Sequence, residues 1–428
     1  MTESNEKRSM SDDEIKLAAD YITKSLAVFK NVIEIGKTKV ERLKNETNRL
    51  MWTRRLTGIT GIAEMIRGVM MLIPKGENPL VKDIEELTEK VEELGDRVGR
   101  SFDDLKSVIA EINFFVKIVG PTFVLGRYMR DCIEHPSKRA TGNFKRAYKK
   151  HPPFKLFYNL TTCLERSSSN PLRMAMDAEK VHSRETFDRW EEMIYMITAQ
   201  LMILEAFANG LLEFKTKNNL DLLITRATTA YDELVEWRKE YSKKNHDAYW
   251  KDIKEYVEKH TTTYPKMTNA ERADDIQNRL DTYLTQDAFY ILVFNVSTVD
   301  REHSYHCPKA ESQMIGVWNK GRCNVIVYRS HLANRLENNV FVKVENEVRA
   351  CKEGKFKNVG TLRNVIQTQL LDSNSVRGDG FVGLVDLSKD LQVRSAYCSE
   401  HMWGPGWWEK VVFVGRPEVT RTLIVSFP

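Results

Sequence analysis

Between Leu80 and Val119 apolar residues recur at alternating steps of four and three: Leu80, Ile84, Leu87, Val91, Leu94, Val98, Ser101, Leu105, Val108, Ile112, Phe115 and Val119, with Ser101 the polar exception. Charges such as Glu85, Glu86, Glu89, Lys90, Glu92, Glu93, Asp103 and Asp104 fill the positions between. A 3.5-residue apolar period held this long draws one stripe down one helix, roughly 60 Å at about 1.5 Å per residue. Water tolerates such a stripe only when other helices cover it, from the same chain or from a second copy. The seam therefore commits the chain to long helices packed side by side.

The flanking sequence supplies helices of that kind. Ser11 and Glu14 form a capping box ahead of a periodic run that predicts a helix from about Asp12 to about Met51. The seam ends at Gly120-Pro121, where the proline predicts a stop, and a short helix is expected over 122–132. Pro171 opens a further helix expected to run to about Leu212, Leu220 to about Glu258 is another, and Asn269 to Leu284 a more polar last one. Residues 12–285 thus read as an elongated helical bundle behind a flexible N-terminus, 1–11. At about Gln286 the period changes to short β-branched and aromatic runs at 288–296, 324–328, 340–344, 381–387, 411–414 and 423–427, with one helix at 361–371. Residues 286–428 are therefore expected to form a smaller, β-rich α+β domain with an antiparallel sheet, because only one helix is available for crossovers. The fold class is mainly α.

Composition narrows the function. Over 428 residues, 65 basic against 60 acidic side chains leave a net charge of +5, so only local patches can favour an anionic partner. The six cysteines are widely spaced and form no CxxC pair, which suits reduced thiols and a cytoplasmic setting. The first residues carry no apolar h-region, and no stretch reaches the ~20 uncharged apolar residues of a membrane-spanning helix. The protein is expected to be cytoplasmic, at most peripheral to membranes.

Two stretches could meet a membrane. Leu56 to Ile73 is apolar but for Glu64 and Arg67; Leu56, Ile59, Ile62, Ile66, Val69 and Ile73 are its bulky members, and Pro74 ends it. It reads either as a buried hairpin, with Glu64 and Arg67 paired one turn apart, or as a concealed membrane-entering hairpin. From His135 to Leu164 there is no Asp or Glu, while Lys138, Arg139, Lys145, Arg146, Lys149, Lys150 and Lys155 accumulate among Phe144, Tyr148, Phe154, Phe157 and Tyr158. Bases mixed with aromatics suit an anionic lipid surface or, less well given the near-balanced charge, single-stranded nucleic acid; they also suit a solvated linker.

Other motifs carry less. Gly378-Asp-Gly380-Phe-Val-Gly383 spells GxGxxG, but a strand follows it where a dinucleotide site needs a helix. His303, His306, Cys307, Cys398 and His401 are metal-ligand and nucleophile types without a local signature, so neither a metal, nor a cofactor, nor catalysis is expected from them. Trp403-Gly-Pro-Gly-Trp407-Trp408 is expected to be a turn whose three tryptophans either plug the sheet's open face or are presented to a partner or a headgroup region.

The apolar segment followed by Pro79, Glu85 to Leu94, and Asp103 to Ile109 resembles the central part of the rapunzel family. So does the block Asn170-Pro-Leu172, Glu179-Lys180, Phe187 and Met193 to Gly210. The order of helices around an apolar hairpin is also similar to α-helical pore-forming toxins of the haemolysin E and tripartite-enterotoxin kind. That resemblance implies a bundle able to swing an apolar hairpin into a bilayer, although Glu64 and Arg67 make this hairpin less apolar than a toxin's. The expected function is non-enzymatic association with membranes, pore-forming-like. The alternative is a cytosolic coiled-coil scaffold that self-associates through the seam and holds a protein partner on the C-terminal domain.

Overall fold

A computed structural model of the protein describes residues 109–135, 137–166, 168–211, 218–296, 304–306, 311–320, 323–330, 342–343, 346, 381–386, 391–396, 407–413 and 420–426. The first predicted helix, the hairpin Leu56–Ile73, the seam before Ile109, the predicted helix at 361–371 and Trp403 lie outside the described residues. The chain divides into two units, one of residues 1–179 and 186–238, the other of 180–185 and 239–428. The architecture is mainly helical, with antiparallel sheet confined to the C-terminal region.

In the first unit, helix α1 (Ile109–Phe114) runs through a π turn (Phe115–Val119) into α2 (Gly120–Glu134). The expected stop at Pro121 does not occur. Pro121 has no N–H to give, and the ladder widens just ahead of it, the Gly120 N–H reaching back five residues to the Phe115 carbonyl. The seam register also shifts at this end: Ile112 and Phe115 are 56% and 38% exposed, whereas Phe114 and Ile118 are buried. Phe114 meets Trp190 edge-on at 5.7 Å and so sets the rotation of α1, and the extra residue in the π turn brings Val119 back into the core.

The basic segment, for which a solvated linker is one reading of the sequence, is two helices, α3 (Lys138–Lys150) and α4 (Pro153–Glu165), followed by α5 (Pro171–Asp177). Helix α6 (Arg184–Leu211) forms the centre of the core, burying Trp190, Ile194, Ile197, Leu201, Leu204 and Phe207 at steps of three and four. The single helix expected from Pro171 to Leu212 is broken at 178–183. There the chain gives its backbone groups to another segment: Arg184 N–H donates to the Thr282 carbonyl and Leu284 N–H to the His182 carbonyl, each at 2.9 Å.

Helix α7 (Asn218–Thr263) contributes its residues up to Arg238 to the first unit and the rest to the second. Helix α8 (Asn269–Asp281) opens on a capping box of Thr268 and Glu271. Strands β1 (Ala288–Asn295), β3 (Met314–Lys320), β4 (Cys323–Ser330) and β6 (Gln392–Ala396) form one antiparallel sheet in the order β3-β4-β1-β6. A second, β2-β5-β8-β7, pairs Ser304–His306, Phe381–Asp386, Thr420–Ser426 and Trp407–Phe413. On one face of the first sheet Phe289, Ile291, Val293, Val325 and Val327 pack with Tyr249, Ile253 and Val257 of α7 and Ala273, Ile276 and Leu280 of α8. On the other face Tyr290, Leu292, Phe294, Ile326 and Tyr328 pack with Trp318 and Val393. β1 is buried on both sides, which is why it reads as an unbroken apolar run instead of an alternation. This packing draws the second half of α7 into the sheet unit, so the division falls at 238–239 and not at the compositional change near 286. The strand expected at 340–344 differs too: Val342 and Lys343, the described residues of that run, are helical, and Val342 is exposed.

Candidate functional site

Ser137 starts α3 by accepting the Ala140 N–H on its hydroxyl at 3.1 Å, a cap that sets the rotation of everything after it. With 3.6 residues per turn, Lys138, Arg139, Lys145, Arg146, Lys149 and Lys150 then fall within an arc of about 140°. Ala140 and Phe144 lie opposite and are buried. All six bases are exposed, and Lys155, in the first turn of α4, is exposed as well. No carboxylate belongs to either face: the polar contact made within α3 is Arg146 Nη2 to Asn143 Oδ1 at 2.6 Å.

Of the aromatics interleaved with these bases, Phe144 and Phe157 are buried and Tyr148, Phe154 and Tyr158 are half-buried against protein partners. Phe144 meets Phe207 edge-on at 5.0 Å, and Phe157 is fully buried. Tyr148 donates its hydroxyl proton to Glu205, 3.2 Å from Oε1. Phe154 packs on Tyr158 at 4.7 Å, and the Arg226 guanidinium lies 4.2 Å over the Tyr158 ring. The face is therefore a charged one without a row of outward rings on which bases of a nucleic acid could stack.

Glu205 of α6 holds the elbow between α3 and α4. It is completely buried, and besides Tyr148 it accepts the Phe154 N–H at 3.3 Å. That amide lies in the first turn of α4, where the helix offers no carbonyl of its own and a negative charge is favoured. Burial, then the Glu205 charge, push the Tyr148 hydroxyl well above its ordinary value, so it stays a donor. Glu205 was legible as the one charge in the apolar run 193–212; its partners were not. At the elbow, burial and then Lys150 and Lys155 hold His151 below its ordinary value, so the ring resists adding to the positive field.

The second unit holds a buried polar cluster that sequence reading missed. Tyr249 of α7 donates its hydroxyl proton to Asp287 and accepts from Arg329 of β4 at 3.4 Å. Arg329 also donates to Gln313 at 2.6 Å and to the His246 carbonyl at 3.0 Å, and stacks over Trp250 at 4.5 Å. Through its Nε and Nη1 donors the guanidinium ties α7 to the sheet.

The other predicted site residues fall as follows. Leu56, Ile59, Ile62, Glu64, Ile66, Arg67, Val69 and Ile73 lie outside the described residues. Trp407 and Trp408 are not in a turn but in strand β7, in register with Ser426 and Val425. Gly383 lies inside β5, paired with Tyr305 and Ile424. Of the expected metal-ligand types His306 alone is described, in β2, and among the described residues no three His, Cys, Asp or Glu side chains gather as a metal site. Nor is any helix among the described residues long and apolar enough to cross a membrane.

These features define a two-unit, mainly helical protein with a small antiparallel-sheet region and an acid-free basic helix face. The chain belongs to DUF684, a family of proteins of unknown function, whose model matches residues 82–418. No curated protein and no solved structure matches it.

Proposed function

We propose that the protein associates with anionic membrane surfaces through the basic face of α3 and the start of α4. The observation that carries this reading is a set of seven exposed bases, six on α3 and one in the first turn of α4, in a stretch without Asp or Glu from His135 to Leu164, on helices whose apolar sides are already buried. A helix presenting its charges within one arc suits a flat anionic surface. Each base near such a surface gains about 1 kcal/mol, so the seven together contribute at most about 7 kcal/mol, an affinity on the order of 10 μM. Because Phe144 and Phe157 are buried, docking is by charge and is fully reversed by salt. The resemblance of the helical region to membrane-inserting bundles points the same way, and a pore-forming-like second step would fall to Leu56–Ile73.

Co-sedimentation with phosphatidylserine-containing vesicles at low and high salt tests the proposal. The parent is expected to sediment at low salt and to be released as salt rises. Replacing Lys145, Arg146, Lys149 and Lys150 by Ser removes about 4 kcal/mol and weakens binding by up to about a thousandfold. A fraction that resists salt, lost in Ile62→Asp with Ile66→Asp, is the signature of insertion. If the parent ignores the vesicles, or the Ser variant binds as well as the parent, the proposal is wrong. Salt-sensitive binding to single-stranded RNA without lipid binding would replace it with the nucleic-acid reading.

A further inference from the structure

The first unit contains an open cleft of about 520 Å³ between α1 with its π turn on one side and α4 on the other, closed at one end by Ser168, Ser169 and Met174 of α5. Its origin lies in the two faces of α4. Leu156, Phe157, Leu160 and Leu164 make one apolar stripe into the core. Asn159, Thr162 and Cys163, with Arg166 at the C-cap, make a second, polar stripe about 120° round the helix from the first, and it lines the cleft. Across from it Asn113 and Lys117 supply the rim, and the buried side chains of Phe114 and Ile118 the floor.

The charge in this cleft is one-sided. Lys117 and Arg166 both line it, and no carboxylate is among the lining residues. The adjacent Glu165 turns elsewhere, and its charge acts on Glu233. The Cys163 thiol donates to the Ser169 carbonyl at 2.8 Å, and burial pushes it up despite that hydrogen bond and the Lys117 charge, so the protonated form is favoured. What remains is an apolar floor under two cations and several neutral donors. The volume is within the range of roughly 300–1,000 Å³ usual for small-molecule sites.

We infer that this cleft binds a small amphiphilic anion, its phosphate or carboxylate held between Lys117 and Arg166 and its apolar part laid on Phe114 and Ile118. The inference is independent of the membrane reading, since none of the seven bases of that face lines the cleft. Lys117 and Arg166 are exposed, so removing them leaves the core intact.

Titration calorimetry on the full chain with octyl phosphate, below its micelle concentration, is the test. Saturable one-to-one binding is expected, with octanol at least about tenfold weaker because it lacks the charge. Lys117→Met with Arg166→Met is expected to weaken octyl phosphate at least about tenfold without changing the melting temperature of the unliganded protein, and Thr162→Trp to block the cleft. The Ser variant of the basic face is expected to bind octyl phosphate like the parent, which separates this site from vesicle docking. Octanol binding as tightly, or the Met variant binding unchanged, overturns the inference. So does a parent that binds vesicles through Lys117 and Arg166 but gives no saturable octyl phosphate binding, since those residues would then belong to the membrane-facing surface.

Discussion

Asn245 of α7 is 1% exposed, and its amide closes a three-way junction. Its Oδ1 accepts the His182 N–H at 2.9 Å, while its Nδ2 donates to the His182 carbonyl at 3.0 Å and to the Leu284 carbonyl at 2.9 Å. Asn245→Ala removes all three. The His182 carbonyl keeps the Leu284 N–H as a partner, so the change strands the His182 N–H and the Leu284 carbonyl. Leaving a buried polar group unsatisfied costs about 1–3 kcal/mol, and with the small void left by the amide the sum is roughly 3 kcal/mol. Asn245→Asp keeps the acceptor but turns a carboxylate toward two carbonyls, and should cost more. At an m-value of about 2 kcal/mol/M in urea, the alanine variant should move the unfolding midpoint of the sheet-containing unit down by about 1.5 M with m unchanged. Hydrogen exchange over residues 180–185 should accelerate in parallel. Lys243→Ala, two residues away on the exposed side, should shift the midpoint by less than about 0.3 M. If Asn245→Ala behaves like Lys243→Ala in both measurements, the amide does not hold the junction and the reasoning fails.

Two further outcomes depend on pH. Burial raises the hydroxyls of Tyr148, Tyr249 and Tyr283, helped in turn by Glu205, Asp287 and Asp252. Below about pH 10 both folded and unfolded chains keep these protons; above it the unfolded chain releases them first, so stability is complete below about pH 10 and falls as pH climbs past it. Melting temperatures at about pH 9 and about pH 11 should show the drop, smaller in Tyr249→Phe. His151, held below its ordinary value by burial, Lys150 and Lys155, protonates more readily in the unfolded chain, so it withdraws stability as pH falls through about 6.5. Docking α3 on an anionic surface should reverse the effect of the lysines, and an upward move of the His151 imidazole titration on adding phosphatidylserine vesicles would place the elbow at the lipid.

In the first sheet, recognition of strands in the sequence followed their place in the order β3-β4-β1-β6. β1 and β4 are central, buried on both faces, and their runs Ala288–Asn295 and Cys323–Ser330 are conspicuous. The strands absent from that reading, β2, β3 and β6, are edges, where pairing on one side admits polar residues such as Arg394. Edges also carry their own ties: Arg394 reaches Asp274 of α8 at 2.6 Å.

The basic face shows the same division. Which residues carry charge between His135 and Leu164, and that no acid is among them, is a matter of sequence alone. That the six bases of α3 share one side of the helix while Phe144 and Tyr148 lie on the other required the Ser137 cap, Phe207 and the buried Glu205. Periodicity and capping act over one or two turns, so local order determined the long helices, the central strands and the position of the charge. The broken helix at 178–183, the tie of α7 to the sheet through Arg329, and the cleft between Lys117 and Arg166 join residues roughly 50 to 80 positions apart. Side-chain hydrogen bonds of that separation leave no period in the chain, and only the tertiary structure decides them, because each exists only once both partners have been brought together by the packing around them.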